Sequence, residues 1–202
     1  MKSSSKLEMA NPFLTSKVKR LENSKDCRIL FLYPNERGMS TIPPSIAGLS
    51  QILKDQGHKT ALFDTTFYKF DDELSLGDSD LVTNKALTNR PVLDIDDDDL
   101  HFKKTTRSAV LDFEKSIDDF KPDIIAVSCT ESTFERAIKL INQTRHKGIK
   151  NIFGGVFCTF APDLVISYDN VDMLCVGEGE NTIIDLANLI SNGDGYSTVT
   201  NL

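Results

Sequence analysis

No two of the four cysteines, Cys27, Cys129, Cys158 and Cys175, stand at CxxC spacing. Nothing in their spacing preorganises thiolates for zinc or for an iron–sulfur cluster, so metal held by these four alone is disfavoured. Three of them sit in or beside apolar runs, where a free cysteine behaves as a small buried hydrophobe. No apolar stretch approaches the ~20 residues that span a bilayer. Long basic blocks are missing too, and 23 Lys+Arg against 30 Asp+Glu leave a net charge of −7. A track for nucleic-acid phosphates is therefore excluded as the main role. The opening residues, MKSSSKLEMANPFLTSKVKR, lack the apolar centre of a signal peptide, which points to a cytoplasmic protein with no membrane partner.

Several cofactor loops are absent. No GxGxxG follows the first apolar run and no GxxxxGK[ST] occurs anywhere, which disfavours a dinucleotide fold and a P-loop. The three histidines, His58, His101 and His146, stand apart from one another, and none is read as a metal ligand or a catalytic group. The acidic run Asp94, Asp96, Asp97, Asp98 and Asp99 lacks the glycine and closing glutamate of an EF-hand loop. It reads as a solvated charge run.

What remains is one domain of ordinary size: 202 residues, 40% hydrophobic and 26% charged. Residues 1–26 are Ser/Lys/Asn-rich and read as a flexible N-terminal tail, with some helical character near Phe13–Leu21. Beyond them "CRILFLYP" (27–34) is a continuous apolar run of the kind that forms a strand buried on both faces of a parallel sheet. In the segment after it, Ile42, Ile46, Leu49, Ile52 and Leu53 recur at helical spacing up to Gly57. "KTALFD" reads as a second strand. Regularity is lost over 65–107, an irregular acidic insert. A helix near 108–119, a strand at "DIIAVSC", a helix from Glu131, a strand at "KNIFGG", one short helix at "APDLVISY", a strand at "VDMLCVG" and a last helix before Gly193 complete the pattern. Such alternation predicts an α/β fold with a flavodoxin-like or Rossmann-like five-stranded parallel sheet, order 2-1-3-4-5, and helices on both faces. The domain is expected over 27–193, with 194–202 as the end of a C-terminal linker.

In that strand order a ligand crevice opens at the carboxyl ends of strands 1 and 3. Four stretches build it: "YPNERGMST" (33–41), "SCTEST" (128–133), "GGVFCTF" (154–160) and "GEGEN" (177–181). Gly154 and Gly155 let a strand end turn sharply or let another surface reach the backbone. The hydroxyls of Ser128, Thr130, Ser132 and Thr133 either cap a helix or bond a polar ligand. Glu178 and Glu180 sit at a helix N-terminus, where the dipole favours negative charge, and this argues against a phosphate there. A two-component receiver would share the topology but needs an acidic pair, an Asp and a Lys where this chain has Pro34-Asn35-Glu36, Ser128-Cys129 and Gly177. A flavodoxin phosphate loop is poorly matched by "PNERGMS".

Taken together, "RILFLYPNERG", "IPPSIAGLSQILKDQGHKTALFD", "KPDIIAVSCTEST", "IFGGVFCTFAPD" and "NVDMLCVGEGENTIIDL" resemble the N-terminal cobalamin-binding domain of cobalamin-dependent radical SAM enzymes. The resemblance covers roughly 27–193 apart from the insert. It implies a corrin over the carboxyl ends of the strands, with its nucleotide tail in a crevice beside the sheet. Gly154 and Gly155 would then leave the gap for the tail base, Ser128 and Thr130 would face the tail, and Gly177, Glu178 and Gly179 would close over it. Pro34, Asn35, Glu36, Arg37 and Met39 would lie under or beside the corrin. Val156 stands where many relatives place a histidine. The DxHxxG motif of methyltransferase and mutase domains is absent, so the expected state is base-off without a histidine ligand.

The same resemblance implies a radical SAM barrel, in cis or trans, holding the iron–sulfur cluster and S-adenosylmethionine. The CxxxCxxC triad of such a barrel is not in this sequence, and the chain stops about where a linker to the barrel would begin. Alone it is expected to bind rather than to catalyse. Two other readings stay open at this point: a degenerate module of the same ancestry that serves protein interaction, and a flavodoxin-like domain for another small ligand.

Overall fold

The computed structural model describes residues 17–35, 43–68, 70 and 105–195. The first strand, β1 (Arg28–Tyr33), carries the apolar run, and Ile29, Leu30, Phe31 and Leu32 are all buried. Helix α1 (Pro44–Asp55) opens with Pro44 at its first position, where the missing N–H costs nothing. Strand β2 (Lys59–Asp64) lies at one edge and is correspondingly more exposed. Helix α2 (Ala109–Phe120) is capped by the Ser108 side chain, which accepts from the Leu111 N–H, and it ends at Lys121, just before Pro122. Then come β3 (Ile124–Ser128), α3 (Glu131–Thr144), β4 (Lys150–Gly154), two short helices α4 (Val156–Phe160) and α5 (Pro162–Ile166), β5 (Met173–Leu174) and α6 (Glu180–Asn192).

The five strands are all parallel, in the order β2-β1-β3-β4-β5. This is the expected topology, and its winding reverses between β1 and β3. Because side chains alternate along each strand, the sheet has two apolar faces. Leu30, Leu32, Ile125, Val127 and Phe153 pack with Phe113 and Ile117 of α2 and Phe134, Leu140 and Ile141 of α3. Ile29, Phe31, Ile124, Ala126 and Ile152 pack with Ile46 and Leu53 of α1 and Ile183 and Leu186 of α6.

Two local expectations change. One short helix was expected after the glycine pair, and there are two. Ala161 separates them with φ −132° and ψ 51°, because the residue before a proline is pushed out of the helical region. The fifth strand was expected across 171–177, and only Met173–Leu174 pairs as a strand. Before it, Asn151 and Asp172 exchange side-chain and backbone hydrogen bonds of 2.9–3.1 Å. After it, the Cys175 N–H donates to the Phe153 carbonyl at 2.7 Å, and the chain then leaves the sheet at Val176 and Gly177.

The expected tail is described from residue 17 onward, and that part is strapped to α6. The N–H groups of Lys17 and Val18 both donate to Asp185 Oδ1 at 3.0 Å. Asn188 Nδ2 donates to the Val18 carbonyl at 2.8 Å, and Asn192 bonds Lys19 and Leu21. Asp185, Asn188 and Asn192 recur on one helix face, so a single stripe of polar side chains holds the backbone of residues 17–21. Of the insert, 71–104 lies outside the described residues. Its two ends meet: Tyr68 bridges Thr105, and the Thr105 N–H donates to the Phe67 carbonyl at 2.8 Å.

Candidate functional site

At the carboxyl end of the sheet a cavity of about 530 Å³ opens between the α1/α6 face of the strands and those two helices. The register arranges its floor in two rows. Phe31, Ala126 and Ile152 are paired side by side across β1, β3 and β4 and form the deeper row. Tyr33, Ser128, Gly154 and Cys175 follow two residues later on the same face and form the row nearer the mouth. Leu49 of α1 and Ile183 of α6 line it opposite the strands, with Pro43 and Pro44 at the start of α1. The walls are mainly apolar, with hydroxyls at Tyr33, Ser45, Ser128, Thr130, Thr133 and Thr159, and at Thr182, which is buried.

The adjacent glycines, which the sequence presents as one feature, are required for different reasons. Gly155 has φ +106°, and a Cβ there would lie 2.6 Å from the Cys129 carbonyl oxygen. Its missing side chain serves the close approach of two backbone segments inside this protein. Gly154 has no such constraint. A Cβ there would meet only Cys175 Cβ at 3.7 Å and the Val127 carbonyl at 4.0 Å, both ordinary contacts. Packing within the protein leaves room for a side chain at 154, and that side chain would enter the cavity. The gap is thus available to a bound group rather than used by the fold.

Of the residues singled out from the sequence, Asn35, Ser128, Thr130, Gly154, Gly155, Val156, Gly177, Glu178 and Gly179 line this one cavity. Pro34 is buried beside it. Glu36, Arg37 and Met39 lie outside the described residues. Thr130 also answers the capping alternative. Its N–H donates to Thr133 Oγ1 at 3.0 Å, completing a capping box at the start of α3. Asn35 is fixed from behind: its Nδ2 donates to Thr66 Oγ1 at 2.9 Å, and its carbonyl accepts from Arg136 Nη1 and Thr65 Oγ1, each at 2.8 Å. The Arg136 guanidinium lies 4.3 Å over the Phe70 ring. Buried contacts therefore pin the chain at Asn35. Val156 is 61% exposed at the rim, next to Phe160 at 83%.

Sequence reasoning missed the floor and roof: Phe31, Ala126, Ile152, Cys175, Leu49 and Ile183. As single residues they read as ordinary core. The available signal was the run of small residues at same-face positions on neighbouring strands, Ala126, Ser128, Gly154 and Cys175.

The cysteines give the site no reactive thiol. All four cysteines are free and buried. The Cys129 thiol, at the cavity wall, is held well above its ordinary range by its hydrogen bond with Cys158 and by burial. Burial likewise raises Cys175. Both are protonated and unreactive at neutral pH. Among the described residues no group of three or more His, Cys, Asp or Glu could hold a metal ion, and no helix is long and apolar enough to cross a membrane. His58 is buried among Cys27 and Asn188, away from the cavity, and His146 is exposed beyond the end of α3. The arrangement is a binding slot, mainly apolar with several hydroxyls in its walls, and narrowed by no side chain at Gly154.

A family model described as the B12 binding domain matches residues 92–187, which contain β3, β4, β5 and most of α6. Two solved structures of the radical S-adenosylmethionine methyltransferase TsrM from Kitasatospora setae share the fold. The one with cobalamin and a [4Fe-4S] cluster bound matches with TM-score 0.56 at 16% identity, over 88% of this chain and 28% of TsrM. The one with tryptophan substrate and aza-SAM bound matches with TM-score 0.55 at 16% identity, over 87% of this chain and 28% of TsrM. The chain thus spans little more than a quarter of the length of that enzyme. No curated protein matches it in sequence. The family match carries the resemblance to a cobalamin-binding domain read from the sequence, and the structural likeness carries the fold.

Proposed function

We propose that this chain is a cobalamin-binding module, holding its ligand base-off and without a histidine on cobalt, and serving a radical SAM barrel in cis or in trans. The observation that carries the reading is Gly154: a β-carbon is missing where the protein's own packing would accept one, at the wall of an apolar slot of about 530 Å³. A slot of that size admits a flat heterocycle, and hydroxyls at Ser128 and Thr130 stand where a ribose and phosphate would follow it outward. Gly177, Glu178 and Gly179 border the same opening and would close over the tail.

The chain's part would be to grip the tail, shield it from water and orient the corrin. Cobalt, when bound, would supply the methyl-transfer or radical reactivity. The iron–sulfur cluster and S-adenosylmethionine would belong to the barrel, and the complex would work in the cytoplasm. The experiment is direct: mix the purified chain with hydroxocobalamin, remove free ligand by gel filtration and record the visible spectrum. The module reading expects about one retained corrinoid per chain with a base-off spectrum. An empty protein fraction, under oxidising and reducing conditions alike, would leave a degenerate interaction domain in its place.

A further inference from the structure

Resting on the cobalamin reading, we infer that Thr159 is a positioning residue of the slot's mouth: its hydroxyl holds the 176–179 loop where that loop retains a bound corrinoid. The loop begins where the sheet stops. The Cys175 N–H donates to the Phe153 carbonyl at 2.7 Å, and the next three residues, Val176, Gly177 and Glu178, are exposed. At the far end a Cβ on Gly179 would meet the Leu49 methyl groups of α1 at 3.8 Å. Within the loop the Cys175 thiol reaches the Glu178 carbonyl only at 4.0 Å. The middle of the loop is tied to α4, where the Gly177 N–H donates to Thr159 Oγ1 at 3.1 Å.

The direction of that bond is fixed. Thr159 Oγ1 donates its own proton one turn back, to the Gly155 carbonyl at 3.1 Å, and so offers Gly177 a lone pair. Gly155 is held in turn by the end of β3. A Cβ there would stand 2.6 Å from the Cys129 carbonyl oxygen, and the Cys129 N–H donates to the Gly154 carbonyl at 3.1 Å. One hydroxyl thus connects the ends of β3 and β4 to the loop after β5, and all three border the cavity. Gly177 turns the loop at φ +83°, and the space where its Cβ would stand is open. The turn is bare on that side, and the Thr159 bond anchors it. A loop anchored at its middle is ordered before the ligand arrives. Without the anchor the bound ligand must order the loop itself, and that cost appears mainly in the rate of release.

The test uses the full chain with Thr159→Val, which keeps the branched shape and removes the acceptor, and Thr159→Ser, which keeps the hydroxyl. Two quantities are read: amide hydrogen exchange of Gly177 without ligand, and the rates at which hydroxocobalamin binds and leaves. Thr159→Val is expected to speed exchange at Gly177 and to raise the release rate about three- to tenfold, the worth of one hydrogen bond. The association rate should stay within about twofold, and Thr159→Ser should restore both quantities. Unchanged Gly177 exchange in Thr159→Val overturns the anchor. Faster exchange with an unchanged release rate overturns the role in retention and leaves the module reading intact. Release raised equally in the valine and serine variants assigns the effect to local packing and overturns the role of the hydroxyl. A native chain that takes up no hydroxocobalamin removes the module reading, and the retention role with it.

Discussion

The two faces of this sheet are built by alternate residues of the same strands, and they are packed in opposite ways. Toward α2 and α3, β3 and β4 present Ile125, Val127 and Phe153, and aromatic rings fill the space. Phe134 meets Phe153 at 5.9 Å, Phe157 at 5.1 Å and Tyr168 at 5.0 Å, and Phe63 meets Phe113 at 5.0 Å. Toward α1 and α6 the neighbouring positions are Ala126, Ser128 and Gly154, and a cavity of about 530 Å³ is left. One face spends its side chains on the fold, and the other withholds them for a ligand. A shift of one residue along β4 separates Phe153, with no exposed surface, from Gly154, with no side chain.

That contrast can be broken residue by residue. The largest stability effect is expected at Phe153→Ala, which hollows the filled face and should cost about 3–5 kcal/mol in urea unfolding. A loss below ~1 kcal/mol would mean the filled face is not what holds the sheet. Next comes Gly155→Ala, which forces a Cβ onto the Cys129 carbonyl at a left-handed backbone position. It should cost about 1–3 kcal/mol. Gly154→Ala, one residue earlier, should change the unfolding midpoint by less than half as much, because its Cβ meets only ordinary contacts. Equal costs at the two glycines would erase the distinction between a glycine the fold needs and one it can spare.

A smaller effect is expected from pH, at the strap along α6. His58 Nδ1 accepts from the Cys27 N–H at 3.3 Å, and its Nε2 faces Asn188 Oδ1 at 3.1 Å. Burial lowers its pKa from the ordinary 6.5, outweighing the Asn188 bond; Arg20 also lowers it, and Asp26 raises it. The folded state therefore binds its proton less readily than the unfolded chain. Stability from this group is fully present above pH 6.5 and is lost as pH falls through the depressed folded value. Unfolding measured between pH 7.5 and 5 (about two decades around the ordinary histidine range) should show the loss, and His58→Gln should flatten it. The pH slope should leave corrinoid binding unchanged, since His58 lies away from the cavity.

The sequence made the fold largely legible because its strands are buried on both sides. Runs such as Ile29–Leu32 and Ile124–Val127 announce a parallel sheet by their uninterrupted apolarity. The alternation with amphipathic helices then limits the topology to a few choices. The rim of the site was legible for a related reason, since turn residues and hydroxyls at strand ends depart from the apolar pattern. Its interior was not. Ala126, Ile152 and Ile183 differ from core residues only in what stands opposite them, and one-dimensional pattern does not carry that. The glycine pair shows the same limit. Both residues read as one gap, and only the 2.6 Å approach to Cys129 separates Gly155, used by the backbone, from Gly154. The strap of 17–21 on α6 was hidden because its anchors, Asp185, Asn188 and Asn192, look like the solvated side of a helix.

The central claim, that the gap at Gly154 belongs to a corrinoid, is tested most directly by titrating hydroxocobalamin into the native chain and into Gly154→Leu, with thermal unfolding of both measured in parallel. The account predicts that the native chain binds, and that the leucine variant keeps its fold yet loses binding by at least about a hundredfold. That loss corresponds to ~2.7 kcal/mol of excluded contact. Undiminished binding by a folded Gly154→Leu would contradict it and place any corrinoid elsewhere on the molecule.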